Sequence, residues 1–360
     1  MNPNINRSLN SFHRYSGITV VAVYFLILVG GIVRSTGSGM GCPDWPACFG
    51  SVIPPTSVDQ LPANYQEIYL EKRLAKNERF IAILDNLGFH ESAHQLATDK
   101  SIQVEEEFNA AKTWIEYINR LIGVVIGILI VFTCYKSLSL WSVDKWIPLT
   151  SFLAVVVVVF TGWIGSIVVS TNLLPGIITF HMLLALLLVC IILYGQYRSA
   201  RILAPNKQGR SIPKKVFWSL LLGMLAMLVQ VLLGTQVREA IDSVAFSLGN
   251  LLREEWVERS GIVFLIHRSF SLFLLLIHSL YFRWAFQYIP RGSALHFWNF
   301  VLGFLVLVEI ATGIGMAYFG IPAYLQPIHL LVGSVILGIQ FFLIVRIKEQ
   351  VERKEIITHS

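Results

Sequence analysis

Charged residues are scarce in this chain: Asp, Glu, Lys and Arg together make up 14% of its 360 residues, while 55% are hydrophobic. A soluble protein of this length needs more polar surface than that, which excludes water as its main solvent. A bilayer core calls for roughly 20 consecutive apolar residues per crossing helix. Eight segments qualify, at about 16–34, 114–135, 146–169, 173–195, 215–237, 261–284, 296–319 and 324–347. Arg7 and Arg14 precede the first run as they would in a signal peptide, but the run is too long and no small-x-small cleavage site follows, so it reads as a retained anchor.

Acidic residues are missing from 196–215, which holds Arg198, Arg201, Lys207, Arg210, Lys214 and Lys215. The 135–146 and 284–296 connections and the C-terminal tail are also basic. The alternate connections near 170–173 and 319–324 are uncharged, and the long ones at 35–113 and 238–260 are rich in Glu and Asp. By the positive-inside rule the basic loops and both termini are cytoplasmic. The formal charge of +6 follows from this topology, and nothing in it calls for nucleic acid.

The chain repeats itself. Span one ends Gly30-Gly31-Ile32-Val33-Arg34 and span five ends Gly234-Thr235-Gln236-Val237-Arg238. Thr161-Gly162-Trp163-Ile164-Gly165 in span three resembles Thr312-Gly313-Ile314-Gly315 in span seven. Asn119-Arg120 and His267-Arg268 are 148 residues apart, as are His181 and His329. The expected fold is therefore all-α, with eight transmembrane helices forming two similar four-helix bundles, as parallel repeats, and a long outer loop containing short helices. The expected division is 1–34 (tail and span one), 35–113 (extracytoplasmic loop), 114–195 (spans two to four), 196–214 (basic cytoplasmic linker), 215–347 (spans five to eight) and 348–360 (cytoplasmic tail).

Histidine inside a spanning helix needs a partner or a cofactor. His181, His267 and His329 sit in apolar stretches, and no matching carboxylate is apparent across the bundle. Two histidines from facing helices suit a bis-His haem, whereas zinc wants three or four clustered ligands. His267 and His329 fit that haem geometry. His278 reads as core or interhelical, since the first half has no counterpart. His13, His296 and His359 carry no assigned chemistry, and Cys134 and Cys190 read as small buried hydrophobes.

The run Gly30-Gly31-Ile32-Val33-Arg34-Ser35-Thr36-Gly37-Ser38-Gly39-Met40-Gly41-Cys42-Pro43-Asp44-Trp45-Pro46, with Glu116-Tyr117-Ile118-Asn119-Arg120, His267-Arg268 and the histidines of spans four and eight, resembles the haem A synthases over nearly the whole chain. The resemblance implies oxidation of the C8 methyl group of haem O, the substrate, to the formyl group of haem A for haem-copper terminal oxidases, with O2 and water both open as the oxygen source. It implies a haem B cofactor between His267 and His329, and substrate haem in the first half at His181, Asn119 and Arg120. It further implies a catalytic Glu116, for which a salt bridge to Arg120 or Lys112 is the alternative occupation. Arg34, Arg238 and Arg268, with Arg120, are propionate-binding candidates, with interfacial snorkelling the competing role. Cys42 and Cys48 are implied to form a disulfide, with stapling set ahead of a redox role; no second cysteine pair occurs at 238–260.

One departure matters. The family pattern reads Glu-x-x-His-Arg where this chain has Asn119, and an amide is a poor iron ligand. Substrate iron held by His181 alone is the reading adopted; a replacement by His90 or His94 in the outer loop, or a chain that keeps only its haem B half, are the alternatives. The partners implied are the haem O synthase and haem-copper oxidase assembly factors, within membrane lipid of the cell inner membrane. The electron donor is unnamed and a homo-oligomer is left open. A membrane haem B cytochrome and a haem-delivery protein without catalysis are the competing functions.

Overall fold

The structure, a computed structural model, describes residues 3–98, 107–171, 173–204, 212–249 and 251–358. Lys207 and Arg210 of the basic linker, His359 and residues 99–106 of the long loop lie outside the described residues. Among the described residues the elements are helices: α1 (Pro3–Ser35), α2 (Tyr65–Asn86), α3 (His90–Thr98), α4 (Ala110–Ser137), α5 (Trp146–Ser170), α6 (Pro175–Leu203), α7 (Lys214–Ser247), α8 (Trp256–Arg259), α9 (Ile262–Tyr288), α10 (Ala294–Tyr318) and α11 (Leu325–Thr358), with short 3-10 turns between some of them.

Eight of these helices are long and apolar enough to cross a membrane, and the chain is a multi-pass membrane protein. Residues such as Val125, Val159, Leu272 and Phe304 are more than 60% exposed on the helix surfaces, an arrangement stable only where lipid covers them. The helices outrun their apolar segments. α1 begins at Pro3 because Leu9 and Phe12 pack against Leu140 and Ile147, and α7 continues to Ser247 with Ile241 and Ala245 buried. The start of α1 and the end of α11 lie at one end of the bundle and the described parts of the two long loops at the other, called here the terminal end and the loop end.

α4 packs on α1 and α5, and α6 packs on the same two, so α4 and α6 stand diagonally across a four-helix unit. In the same way α9 and α11 each pack on α7 and α10 and stand diagonally across a second unit. The units meet where α11 packs on α1 and α6. The diagonal helices are those that carry Asn119 and His181 in one unit and His267 and His329 in the other.

The long loop holds a longer helix than its broken apolar pattern suggests. α2 runs 22 residues and α3 nine; they pair through Leu84, Ala93 and Leu96. Phe80 of α2 rests on Ile164, Ile167 and Leu184, which fixes the pair against α5 and α6.

Candidate haem sites and the loop that caps one of them

In the second unit, Thr312 Oγ1 is 2.9 Å from His329 Nδ1 and donates its own proton to the Val308 or Glu309 carbonyl oxygen. The hydroxyl therefore accepts from Nδ1–H, which leaves the lone pair on Nε2. Across the bundle Gln230 donates its amide proton to the His267 carbonyl oxygen at 3.2 Å, and His267 Nδ1 is buried without a partner.

The glycines explain how the rings fit. A Cβ on Gly234 would lie 3.3 Å from His267 Cε1, and one on Gly313 would lie 3.4 Å from His329 Cε1. In the first unit a Cβ on Gly165 would lie 3.3 Å from His181 Cε1. Gly165 and Gly313 are 148 residues apart, the same offset as their histidines, so that is the register of the repeat. The alternative pairing of Thr161-Gly162 with Thr312-Gly313 is three residues out: it matches similar letters, whereas packing against the imidazole selects a different glycine. His181 Nδ1 and Asn119 Oδ1 are both buried without partners. The orphaned ring nitrogens of His181 and His267, each ring beside a helix-face glycine, fit imidazoles placed to hold a flat macrocycle, whereas His267 Nε2 lies 3.4 Å from the Gln230 amide and both His329 nitrogens have partners.

One expectation is corrected. An acid does match a histidine: Glu309 Oε1 lies 3.2 Å from His329 Nε2, and because that nitrogen holds the lone pair, the proton between them sits on the Glu309 carboxyl, whose Oε2 has no partner. Its signal was a single acid in the apolar run Phe304–Ala311, costly enough to demand a reason. Gln230, which bonds the His267 carbonyl oxygen, and Asp242, which binds Arg34 and Arg238, are singled out by no spacing or motif in the sequence.

Two motifs 70 residues apart in sequence meet at the loop end of the first unit. Cys42 and Cys48 form a disulfide, and the loop around it is fastened to α4. Glu116 is 3% exposed; its Oε2 accepts from the Cys42 amide at 2.8 Å and its Oε1 from Arg120 Nη2 at 2.5 Å. Arg120 also donates to the carbonyl oxygens of Asp44 (2.6 Å), Ala47 (3.0 Å) and Cys42 (3.1 Å). Thr113 donates to Gly41 O, and a Cβ on Gly41 would come within 2.5 Å of Lys112 O, so only glycine permits this approach. Asp44 turns the loop by accepting from the amides of Phe49 and Gly50.

The sequence-derived roles thus meet other occupations. Arg120 is filled by loop carbonyls and Glu116, leaving no free fork for a propionate. Arg34 and Arg238 both bind Asp242, at 2.6 and 2.8 Å, and Arg238 also binds the Gln326 side chain, tying α1, α7 and α11 together. Arg268 is exposed. His90 and His94 lie on the exposed side of α3, His90 3.2 Å from Asp85, while Ala93 and Leu96 face α2. His278 Nδ1 bonds Leu274 O and its Nε2 meets the Gln340 amide at 2.9 Å, an interhelical pair.

Both disulfide cysteines are fully buried, and a redox partner must reach a sulfur to exchange with it. The double variant Cys42→Ser/Cys48→Ser is therefore expected to keep function within a few-fold and to lose about 2–4 kcal/mol of stability, measured by denaturation in detergent. Loss of function with unchanged stability would instead assign the pair a redox step.

A sequence profile of the cytochrome oxidase assembly protein family matches residues 13–81 and 89–341. Among curated relatives, the haem A synthase of Orientia tsutsugamushi (strain Boryong) is 24% identical over 366 aligned positions, covering 91% of this chain and 93% of that protein. That of Shouchella clausii is 23% identical, covering 84% and 85%. That of Shewanella oneidensis is 23% identical over 68% of this chain and 62% of that protein. A match that takes in the capped loop, α4 and both histidine-bearing diagonals leaves one conclusion: the chain belongs to the cytochrome oxidase assembly protein family.

Proposed function

We propose that this protein is a haem A synthase, an oxidoreductase that converts the C8 methyl group of haem O to the formyl group of haem A. The observation that carries the reading is the shared register of His181 with Gly165 and His329 with Gly313, one imidazole cradle repeated in two units. His267 and His329 would hold haem B in the unit 215–347: Thr312, accepting from Nδ1–H, leaves the His329 Nε2 lone pair as the donor, and Glu309, which meets that nitrogen at 3.2 Å, would have to give up its place there. Haem B, when bound, supplies one-electron transfer. His181 holds the substrate in the unit formed by span one and 114–195. Asn119, on the diagonal helix, offers an amide, a poor iron ligand, where the other unit offers an imidazole, so that His181 would hold the substrate haem alone.

Glu116 and Arg120 hold the disulfide loop over this pocket and exclude water from it. Glu116, one turn from Asn119, is also the nearest acid on that face of α4 and is assigned proton handling during methyl oxidation. Arg268 serves a propionate, because its guanidinium is exposed whereas those of Arg34, Arg120 and Arg238 are already engaged. The protein sits in the cell inner membrane with the terminal end cytoplasmic, where Arg198, Arg201, Lys214 and Lys215 lie. Haem O arrives from its synthase and haem A leaves toward haem-copper oxidase assembly.

Extraction of the pigment from purified protein, with mass identification of each porphyrin, separates this reading from its rivals. Haem B together with haem O and haem A is expected. Haem B alone, after expression with a haem O source, would make the chain a cytochrome or carrier.

A further inference from the structure

The α2–α3 pair is the largest described element outside the spanning helices that the proposed chemistry leaves without a task. α2 presents one continuous face. At 100° per residue Tyr69, Lys76, Phe80, Ile83 and Leu87 share it, and Glu78 lies on the opposite side. The N-terminal part of this face is buried, since Tyr69 is 6% exposed and packs edge-on against Phe49. At Phe80 it rests on Ile164, Ile167 and Leu184. Those three residues lie three to nine positions inside the loop ends of α5 and α6, about 4–14 Å along the axes. Phe80 is thus below the ends of the helices it touches, at the level where the spanning segments are clothed by lipid. Trp163 stands there with its ring 53% exposed, as aromatic residues do at a membrane interface.

Past Phe80 the same face runs beyond α5 and α6 without protein beneath it. Ile83 is 49% exposed, Leu87 66% and, after the turn at Gly88, Phe89 58%. Three large apolar residues in succession, following the point where Phe80 packs below the helix ends, need a cover, and water is not one. The flank of the face is basic. Lys72, Lys76 and Arg79 line a cleft of about 220 Å³ whose other wall includes Pro43 and Ser170, the last residue of α5. That is the level of lipid phosphates, where cations on long stems settle. Asp44, the acid in this cleft, has its oxygens occupied by the Phe49 and Gly50 amides.

We infer that the α2–α3 hairpin is seated in the loop-end leaflet of the bilayer, with Ile83, Leu87 and Phe89 inserted among acyl chains and Lys72, Lys76 and Arg79 on phospholipid phosphates. This is the geometry of an interfacial helix, apolar face down and basic flank level with the headgroups.

The test uses the full chain in phosphatidylcholine and phosphatidylglycerol vesicles. Ile83→Cys, Leu87→Cys and Glu78→Cys, each in a Cys134→Ser/Cys190→Ser background, are nitroxide-labelled, and power saturation is compared with oxygen and with a water-soluble nickel chelate. Labels at 83 and 87 should be relaxed more by oxygen than by nickel, and the label at 78 the reverse. Labels at 83 and 87 that respond to nickel as strongly as the label at 78 would overturn the inference. Phe89→Cys gives an independent reading should either variant fail to fold.

Discussion

His181→Ala is expected to lower haem A formation by at least about 100-fold while haem B stays bound, because the two imidazole sites belong to separate four-helix units. A catalytic geometry lost with its anchoring group costs rates of that order. His329→Ala should behave differently: it removes haem B, and with it the electron path, so haem B and conversion are both lost while haem O stays bound at His181. Asn119→Ala is the informative control. If His181 alone holds the substrate iron, trimming the amide opposite it leaves haem O bound, and the bound haem stays high-spin in its absorption spectrum. Asn119→His should shift that spectrum toward a low-spin form by supplying the second imidazole that the other unit has at His267. The measurements are pigment extraction, optical spectra and conversion in a strain that supplies haem O. Unchanged haem A yield from His181→Ala would reject the substrate site outright.

Much of this architecture was legible before any coordinates. Hydropathy locates crossings because the bilayer punishes every polar residue in its core, so the eight spans, and the all-α class with them, follow from composition alone. It locates helix ends less well. The helical hydrogen-bond ladder continues wherever packing supports it, as at Leu9 and Phe12 of α1 or Ile241 of α7, and hydropathy is blind to that packing. The histidines were legible as isolated costs in apolar surroundings. Their helix-face glycines were not, since a glycine in a spanning helix has many explanations until an imidazole is seen against it. Glu309 carries the same isolated cost in apolar surroundings as the histidines, but it has no repeat partner to mark it: the position 148 residues earlier is Thr161. The arginines failed for another reason. A sequence shows which guanidiniums lie near a surface, but their partners, Asp242 and the carbonyls of a loop 70 residues away, appear only on folding.

The largest effect on stability is expected at Arg120. Its side chain is 13% exposed and that of Glu116 4%, so the pair lies away from solvent. Arg120→Ala leaves a buried carboxylate without its cation and strips donors from three loop carbonyls at once. Breaking a buried pair from one side typically costs about 3–5 kcal/mol, because the stranded charge keeps its desolvation penalty. Glu116→Gln is milder: the amide oxygen still accepts from the Cys42 amide, and Arg120 keeps its loop carbonyls. The double variant Glu116→Gln/Arg120→Ala should therefore cost less than the two single losses added, since the charge that made Arg120→Ala so costly is gone. Unfolding in denaturing detergent measures all three, and strict additivity would show that the pair does not act as a unit. Conversion separates the lock from the chemistry. Arg120→Ala should lose both stability and turnover because the loop lifts away. Glu116→Gln should keep the loop but fall about 10²-fold in turnover, the cost of a missing proton-transfer group. Normal turnover in a stable Glu116→Gln protein would leave Glu116 as a fastener of the disulfide loop and send the search for the proton-handling group elsewhere in the first unit.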